Sequence, residues 1–319
     1  MTPGLFVSVI VTTHNRASAL RQTLDLLAKV KIPTSLQAEL ILVDNASTDH
    51  TAAVMRSAKF VSMQVEYLYE PIKGKSNALN TALRRAQGEI ILFTDDDVSV
   101  SEDWIEKMVD AFGQNQFDIV VGKIVLAADL VRPWLSWRQK WLLSAPEDQS
   151  DDNLALIGAN MGFRRSALRH VAGFDPELGP GAIGLGEETL FGKRLVEAGL
   201  RLGYARNAVV VHRPDPSRLQ RRGWLDIARK TGKMRGYLRY HWERDDIWAP
   251  RLKWLWYTLK LHLRRMVQPP PPLESEGIPE WEMSYVESME TCRQFSIERR
   301  RPRKYARPGL EKRRVAGGA

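Results

Sequence analysis

The sequence predicts an α/β protein built on a mostly parallel, doubly wound sheet, followed by a basic helical extension. Three observations lead there. Apolar runs rich in β-branched residues alternate with stretches of helical period through the first two-thirds of the chain. Two of these runs end abruptly in carboxylates, Asp44 and Asp95-Asp96-Asp97, and open parallel sheets bind ligands at the carboxyl ends of their strands. Residues 216–319 carry 24 Lys/Arg against 12 Asp/Glu, whereas residues 1–215 carry 23 against 26, so the net charge of +9 belongs to the C-terminal third.

The elements follow in order. Residues 7–13 (VSVIVTT) form an apolar strand. Residues 17–30 place Leu20, Leu24 and Leu27 on one helical face. Residues 39–45 (ELILVDN) are a second strand, and 51–57 a short helix for which Asp49 is a candidate N-cap. A third strand covers 65–69 and a helix 76–86. Residues 90–94 (IILFT) form a buried strand that runs into the acidic triplet. Trp104, Met108 and Phe112 keep helical register over 103–112, and 118–126 is again a strand.

The second half is less regular. Residues 133–143 are Trp-rich, 155–165 return to the sheet, and 201–212 contain a late strand ending at His212. Residues 220–267 read as basic, aromatic helices. Pro269 to Pro272 form a stiff linker, and the chain beyond about Ile297 has the composition of a disordered basic tail. The expected organisation is therefore a catalytic domain over 1–215, a helical extension over 216–267, and a linker with tail over 268–319.

Composition excludes several classes. At 319 residues and 44% hydrophobic content the chain can bury a full core. The single Cys292 rules out an internal disulfide framework and fits a reducing compartment. The first residues lack the basic region and long apolar core of a signal peptide, and no run approaches the roughly 20 apolar residues that span a bilayer. A cytoplasmic location is expected.

Asp95, Asp96 and Asp97 repel one another and gain nothing from burial by themselves. One Asp suffices to cap a helix; three point to a hard cation such as Mg²⁺ or Mn²⁺, which carboxylate oxygens suit. Two other motifs fail. Gly74-Lys75-Ser76 ends like a P-loop, but the glycine required five positions before Gly74 is Tyr69. The stretch from Gly179 to Gly184 matches GxGxxG formally, yet it neither follows a clear strand nor opens a plain helix, so it reads as a flexible loop rather than a dinucleotide site.

The blocks VSVIVTTHNRASAL, LILVDNASTDHT, GKSNALNTALRRAQGEIILFTDDD, GANMGFRRSAL, GFDPELGPG and GEETLFGKRL occur in that order. Together they resemble the family 2 glycosyltransferases, which have the GT-A fold, a Rossmann-like sheet. The resemblance covers about residues 5–215. It implies a nucleotide-sugar donor, a divalent metal and inversion at the anomeric carbon. Thr12, Thr13 and Asn15 would line the nucleotide pocket, and Asp44 would accept a hydrogen bond from uracil while also serving its turn. Asp95 and Asp96 would face the nucleotide, and Asp97, with Asp95, would hold the metal.

The same resemblance gives Lys75 either a place near the diphosphate or an ordinary loop position. His212 either completes the metal shell or is a structural strand-end residue. Gly158 and Asn160 would line the donor sugar and acceptor, with Trp134, Trp137 and Trp141 either stacking on a sugar or lipid or forming a core helix face.

Glu187-Glu188 occupies the place of the family's Glu-Asp pair, which supplies the general base. Glu188 is the first choice and Glu187 the second; the family usually has Asp at the second position, so Glu188 departs from it by one methylene and the choice stays open. Among nucleotides UDP leads, with dTDP and GDP open. The implied reaction is transfer of one sugar to a hydroxyl of a glycan, a lipid-linked glycan or a small molecule, as no QxxRW-like motif of polymerising relatives is present.

Two alternatives stand beside it. A sugar-nucleotide pyrophosphorylase would need a Gly-rich basic loop where this chain has THNRAS, and an inactive sugar- or membrane-binding relative would not need the carboxylates. Residues 220–267 suit peripheral contact with an anionic bilayer or packing as a solvated subdomain. No recognised motif supports nucleic-acid binding.

Overall fold

The structure, a computed structural model, describes residues 4–114, 116–150 and 153–305. It divides into two compact units. The first comprises residues 1–176 and 187–214; the second comprises 177–186 and 215–319.

The first unit is built on one eight-stranded sheet. Its strands are β1 (Leu5–Thr13), β2 (Leu36–Asp44), β3 (Gln64–Tyr69), β4 (Ile90–Phe93), β5 (Val98–Val100), β6 (Ile119–Leu126), β7 (Met161–Arg164) and β8 (Leu202–His212), in the order β3-β2-β1-β4-β7-β6-β8-β5. The first four are parallel to one another. The helices are α1 (Ala17–Leu27), α2 (Thr51–Ser57), α3 (Lys75–Arg85), α4 (Trp104–Gln114), α5 (Trp137–Leu142) and α6 (Glu187–Glu197).

Helices on both faces explain why β2 and β4 are apolar without alternation: Leu40 to Val43 and Ile90 to Phe93 are all buried. Ile41, Phe93, Phe163, Phe174 and Phe191 share one core cluster. Asp49 Oδ1 accepts from the Thr51 amide at 2.9 Å, but His50 is the residue at the N-cap of α2.

Two strands depart from simple alternation. β7 runs antiparallel between β4 and β6. β5 is only three residues long, too short for a periodicity to announce it, and it pairs antiparallel with β8 so that Val98 lies opposite His212. That pairing brings a late histidine to the residue that follows Asp97.

The second unit is helical. α7 (Arg221–Leu238) runs into a π-helical turn (Arg239–Glu243) and is followed by α8 (Pro250–Val267) and α9 (Glu280–Glu298). α7 and α9 pack closely enough that a Cβ on Gly236 would lie 2.6 Å from the Thr291 carbonyl oxygen.

The expectation of a linker and disordered tail over 268–319 is therefore corrected. α9 buries Met283, Val286, Cys292 and Phe295, and the chain stays packed through Tyr305. The Pro-rich run is held as well: Arg221 donates to the Pro271 carbonyl at 3.0 Å, and the Arg222 amide donates to the Leu273 carbonyl at 3.0 Å. Composition misled here because the glutamates of α9 are paired internally. Glu282 is buried between Arg221 and Arg265, and Glu298 accepts from His241 at 2.9 Å. The remainder of the expected tail, residues 306–319, lies outside the described residues.

The 177–186 loop belongs to this unit through its own contacts. Glu177 is clamped by Arg301 at 2.8 Å and by Lys304. Its GxGxxG stretch is a series of turns with no strand before it. Among the described residues no helix is long and apolar enough to cross a membrane.

Candidate active site

In-register parallel pairing sets the ends of β1 and β2 side by side, with Thr13 opposite Asp44. β4 lies on the other side of β1 and delivers the acidic triplet immediately beyond its end. The three carboxylates then separate into distinct environments.

Asp96 is buried. It accepts from Thr13 Oγ1 at 2.6 Å and lies 3.3 Å from Arg16 Nε. Burial pushes its carboxyl up to about 7; Asp97 and Asp95 add to this, while Arg16 and the Thr13 hydroxyl oppose it. Thr23 donates to the Asp96 carbonyl at 3.0 Å and accepts from the Val98 amide at 3.2 Å, which fixes the turn between β4 and β5.

Asp97 meets Arg16 at 2.6 Å and His212 Nε2 at 3.2 Å. The other ring nitrogen of His212, Nδ1, lies 2.8 Å from the Leu143 carbonyl oxygen. A carbonyl can only accept, so Nδ1 carries the hydrogen and Nε2 is the atom turned to Asp97. An imidazole nitrogen beside a carboxylate oxygen, with the ring oriented by a backbone carbonyl, is a donor pair that fits Mn²⁺ or Mg²⁺. No closed cage of three His, Cys, Asp or Glu side chains exists among the described residues. Such ions are commonly held by one or two protein ligands plus substrate phosphate oxygens, so an open pair is compatible with them.

Asp95 turns the other way, to Lys75 Nζ at 2.7 Å. The same ammonium lies 3.0 Å from Glu188 Oε1 and 3.8 Å from Glu187 Oε1. Burial would lower the Lys75 pKa, but the charges of Asp95, Glu188 and Glu187 outweigh it and hold the ammonium well above its usual range. Lys75 opens α3, and Asn45 places it. The Asn45 side chain donates to the Glu70 and Ile72 carbonyls at 3.1 and 2.8 Å and accepts from the Gly74 amide at 2.8 Å.

Glu187 and Glu188 open α6 but differ in setting. Glu187 is the more buried of the two, and its Oε2 has no hydrogen-bond partner among the described residues. Burial, reinforced by the Glu188 charge, drives its pKa well up, with Lys75 opposing.

The model of the family described as glycosyl transferase family 2 matches residues 8–172, more than half of the chain. The chain belongs to glycosyl transferase family 2. It is a glycosyltransferase, and the pyrophosphorylase alternative gives way to that membership.

Its relatives include glycosyltransferase AglE of Haloferax volcanii, 26% identical over 219 residues that make up 66% of this chain and 68% of AglE. The pre-mycofactocin glycosyltransferase of Mycobacterium tuberculosis is 30% identical over 70% of this chain, which spans only 45% of that protein. Among solved structures, the mannosyltransferase PcManGT of Pyrobaculum calidifontis, in complex with GDP-Man and Mn²⁺, superposes with a TM-score of 0.54 at 19% identity, over 94% of this chain and 77% of that one. Residues 1–349 of S. aureus TarS, in complex with UDP-GlcNAc, give 0.52 at 16% identity, over 95% and 93%. At these identities the likeness concerns the fold, which is GT-A.

The remaining expected residues of this glycosyltransferase divide. Asp44 is buried and accepts from the Ser47 amide at 2.9 Å, so its turn role is present. Thr12 is buried at the strand end. Asn15, at φ +52°, accepts from the Thr48 amide at 2.7 Å and ties the end of β1 to the loop after β2. Gly158 lies against the carboxylate cluster: a Cβ there would sit 2.9 Å from Lys75 Nζ and closer still to Glu188 Oε1.

Asn160 does not fit the sugar-binding expectation. It is fully buried, its carbonyl accepts from Trp104 Nε1 at 2.9 Å, and its amide donates to the carbonyls of Lys123 at 3.0 Å and Ala208 at 2.8 Å. With both amide hydrogens committed inside the fold, it braces α4, β6 and β8. Trp134 is more than a third exposed on the turn before α5. No residue of α5 is buried, so Trp137 and Trp141, ring to ring at 5.2 Å, do not form a core face.

Sequence reasoning missed Arg16, Thr23 and Asn45. Arg16 had a signal: three adjacent carboxylates at a buried strand end demand a nearby cation, and Arg16 is the basic residue of the first strand's loop. Thr23 and Asn45 act through backbone groups, which leave no pattern in residue type.

Proposed function

We propose that the chain is an inverting, metal-dependent glycosyltransferase that moves a sugar from a nucleoside diphosphate sugar, with UDP as the first choice of nucleotide, to an acceptor hydroxyl of a glycan, a lipid-linked glycan or a small molecule. One observation carries the reading: a single ammonium, Lys75 Nζ, joins Asp95 of the acidic triplet to Glu188 of the glutamate pair. The group that meets the donor and the group that meets the acceptor thus share one charge-coupled site.

Thr12, Thr13, Asn15 and Asp44 line the nucleotide end, and Asp95 and Asp96 face the ribose and phosphates. Asp97 and His212, with Asp95 turning from Lys75, would hold Mn²⁺ or Mg²⁺. When bound, such an ion supplies Lewis-acid stabilisation of the departing diphosphate. Lys75 adds fixed positive charge beside the same phosphates. The TarS and PcManGT structures, with UDP-GlcNAc and with GDP-Man and Mn²⁺, support a nucleotide-sugar donor and a divalent ion here.

Glu188 is the base. An acceptor hydroxyl becomes an effective nucleophile when a positioned carboxylate takes its proton during attack. Burial and the Glu188 charge push the Glu187 carboxyl up, against Lys75, which favours Glu188, beside Lys75 and more open, as the group that accepts that proton. Gly158, having no side chain, lets this carboxylate and Lys75 lie against the backbone. Trp134 offers an exposed ring for a sugar face. The basic, aromatic residues 220–267 suit peripheral contact with a membrane carrying the acceptor.

The test is Glu188→Gln. Sugar transfer should fall by about 10²–10⁴-fold, the usual contribution of a general base, while donor binding is retained. Unchanged turnover would remove Glu188 from this role.

A further inference from the structure

α8 turns an apolar stripe to solvent. Leu252, Leu255, Trp256, Leu259, Leu263 and Met266 are all exposed, from 48% to 71% of their surface. At 100° per residue these positions fall within an arc of roughly 100°. The opposite side of the helix is the one that packs: Leu261 is buried, and Trp254 and Tyr257 pack on the cluster of Ile247, Cys292 and Phe295. The apolar stripe is therefore surplus to the core of its unit. Scattered exposed leucines are ordinary, but a continuous helical stripe of this width marks a contact surface.

Charge identifies the contact. α8 contains Arg251, Lys253, Lys260, Arg264 and Arg265 and no Asp or Glu. Lys253, Lys260 and Arg264 border the stripe on one side and Arg251 on the other, and Lys260 Nζ sits 4.5 Å from the Trp256 ring centroid. At the start of the helix a hollow of about 410 Å³ is lined by Arg251, Arg299 and Arg300 with Ser296, Pro250 and Leu252. None of those three guanidinium groups has a carboxylate partner among the described residues. Two copies of so cationic a face would repel each other, whereas phosphate groups would neutralise it.

We infer that α8 lies in the headgroup region of an anionic phospholipid bilayer, with its Leu/Trp stripe inserted and the Arg251–Arg299–Arg300 hollow receiving a lipid phosphate. This deepens the peripheral-contact reading above, placing the contact on one helix face and specifying the lipid chemistry. Leucine and tryptophan on one face with cations at its borders is the composition of an interfacial helix, and the attraction grows with the anionic lipid fraction.

The experiment uses the full chain and sedimentation with vesicles of phosphatidylcholine, with and without phosphatidylglycerol. The protein should bind the phosphatidylglycerol vesicles at least tenfold more tightly than the neutral ones. Leu255→Ser/Leu259→Ser/Leu263→Ser keeps every charge and should lose at least tenfold of that binding. Arg299→Gln/Arg300→Gln should narrow the preference for phosphatidylglycerol.

Equal vesicle binding by the triple-serine variant would mean that net charge alone acts, and would overturn the proposal. So would failure of the wild-type chain to bind anionic vesicles. A lipid-free dimer abolished by the same three serines would also overturn it, by assigning the stripe to a second copy. UDP binding in the presence of Mn²⁺, measured on the same preparations, reports on the donor site separately, so a wild-type chain that binds UDP but not anionic vesicles would count against this inference alone.

Discussion

Gly158 lies directly against Glu188: any side chain at this position would collide with the Glu188 carboxylate and crowd Lys75. The glycine is thus part of the geometry that keeps the proposed base and its ammonium partner together. Gly158→Ala should fold, because its neighbours in the collision are the ends of two flexible side chains. It should lower kcat at least tenfold with a smaller change in donor affinity. Steady-state kinetics with calorimetric donor titration measure both.

Lys75 compensates three carboxylates at once. Lys75→Met leaves Asp95, Glu187 and Glu188 without their shared cation, and removing one partner of a buried pair is strongly unfavourable. Donor affinity should weaken by more than tenfold and turnover should fall further. Donor titration together with single-turnover transfer would check this.

The Asp97–His212 pair predicts metal-dependent nucleotide binding. Chelation should weaken UDP binding to the wild-type chain, and added Mn²⁺ should restore it. Asp97→Ala should bind UDP weakly with or without Mn²⁺. Tight metal-free binding that Asp97→Ala leaves untouched would contradict the assignment. Isothermal titration in the presence and absence of EDTA is sufficient.

Asn160 predicts a stability effect with little effect on binding. Asn160→Ala strands Trp104 Nε1 and the carbonyls of Lys123 and Ala208 inside the fold. Each unsatisfied buried group costs about 1–3 kcal/mol, so urea denaturation should show a loss of about 2–4 kcal/mol after partial relaxation. Donor affinity of the folded variant should stay within a few-fold of the wild type.

Acid should destabilise the helical unit through Glu282. Burial would raise its pKa, but hydrogen bonds and charge from Arg221 and Arg265 outweigh this and hold it below the ordinary 4.5. A carboxyl depressed in the folded state stabilises the fold above its unfolded pKa. That contribution is lost as pH falls through the folded value. Thermal unfolding should therefore shift downward below about pH 4.5, and Glu282→Gln should flatten this dependence while lowering stability at neutral pH. Melting curves across pH would show it.

The parts of the fold visible in residue order are those set by burial on two sides. β1, β2 and β4 stand out because parallel central strands are apolar without interruption, and the carboxylates at their ends mark where the sheet opens. β5 is hidden because three residues carry no period, and β7 because its apolar run does not reveal its direction. α9 is hidden for an electrostatic reason: Glu282 and Glu298 look like solvent-facing charges until Arg221, Arg265 and His241 arrive from other helices.

The site divides in the same way. Asp95 and Asp97 stand out as adjacent carboxylates at a strand end, whereas Glu188 and Lys75 enter only through the family resemblance. Asn160 has the right residue type for a sugar contact, but its amide is consumed by three distant partners that no local pattern reveals.

The excursion of residues 177–186 into the helical unit means that the polypeptide changes unit three times, after Pro176, Gly186 and Pro214. A single cut in the chain therefore cannot separate the two units. A truncation ending at residue 214 would keep Glu177 yet discard Arg301 and Lys304, the residues that grip it, just ahead of the glutamates that begin α6. Expression boundaries and chimeras designed around a free-standing N-terminal half would leave that loop without its ion-pair partners, so a boundary has to keep the loop with the helices that follow residue 214.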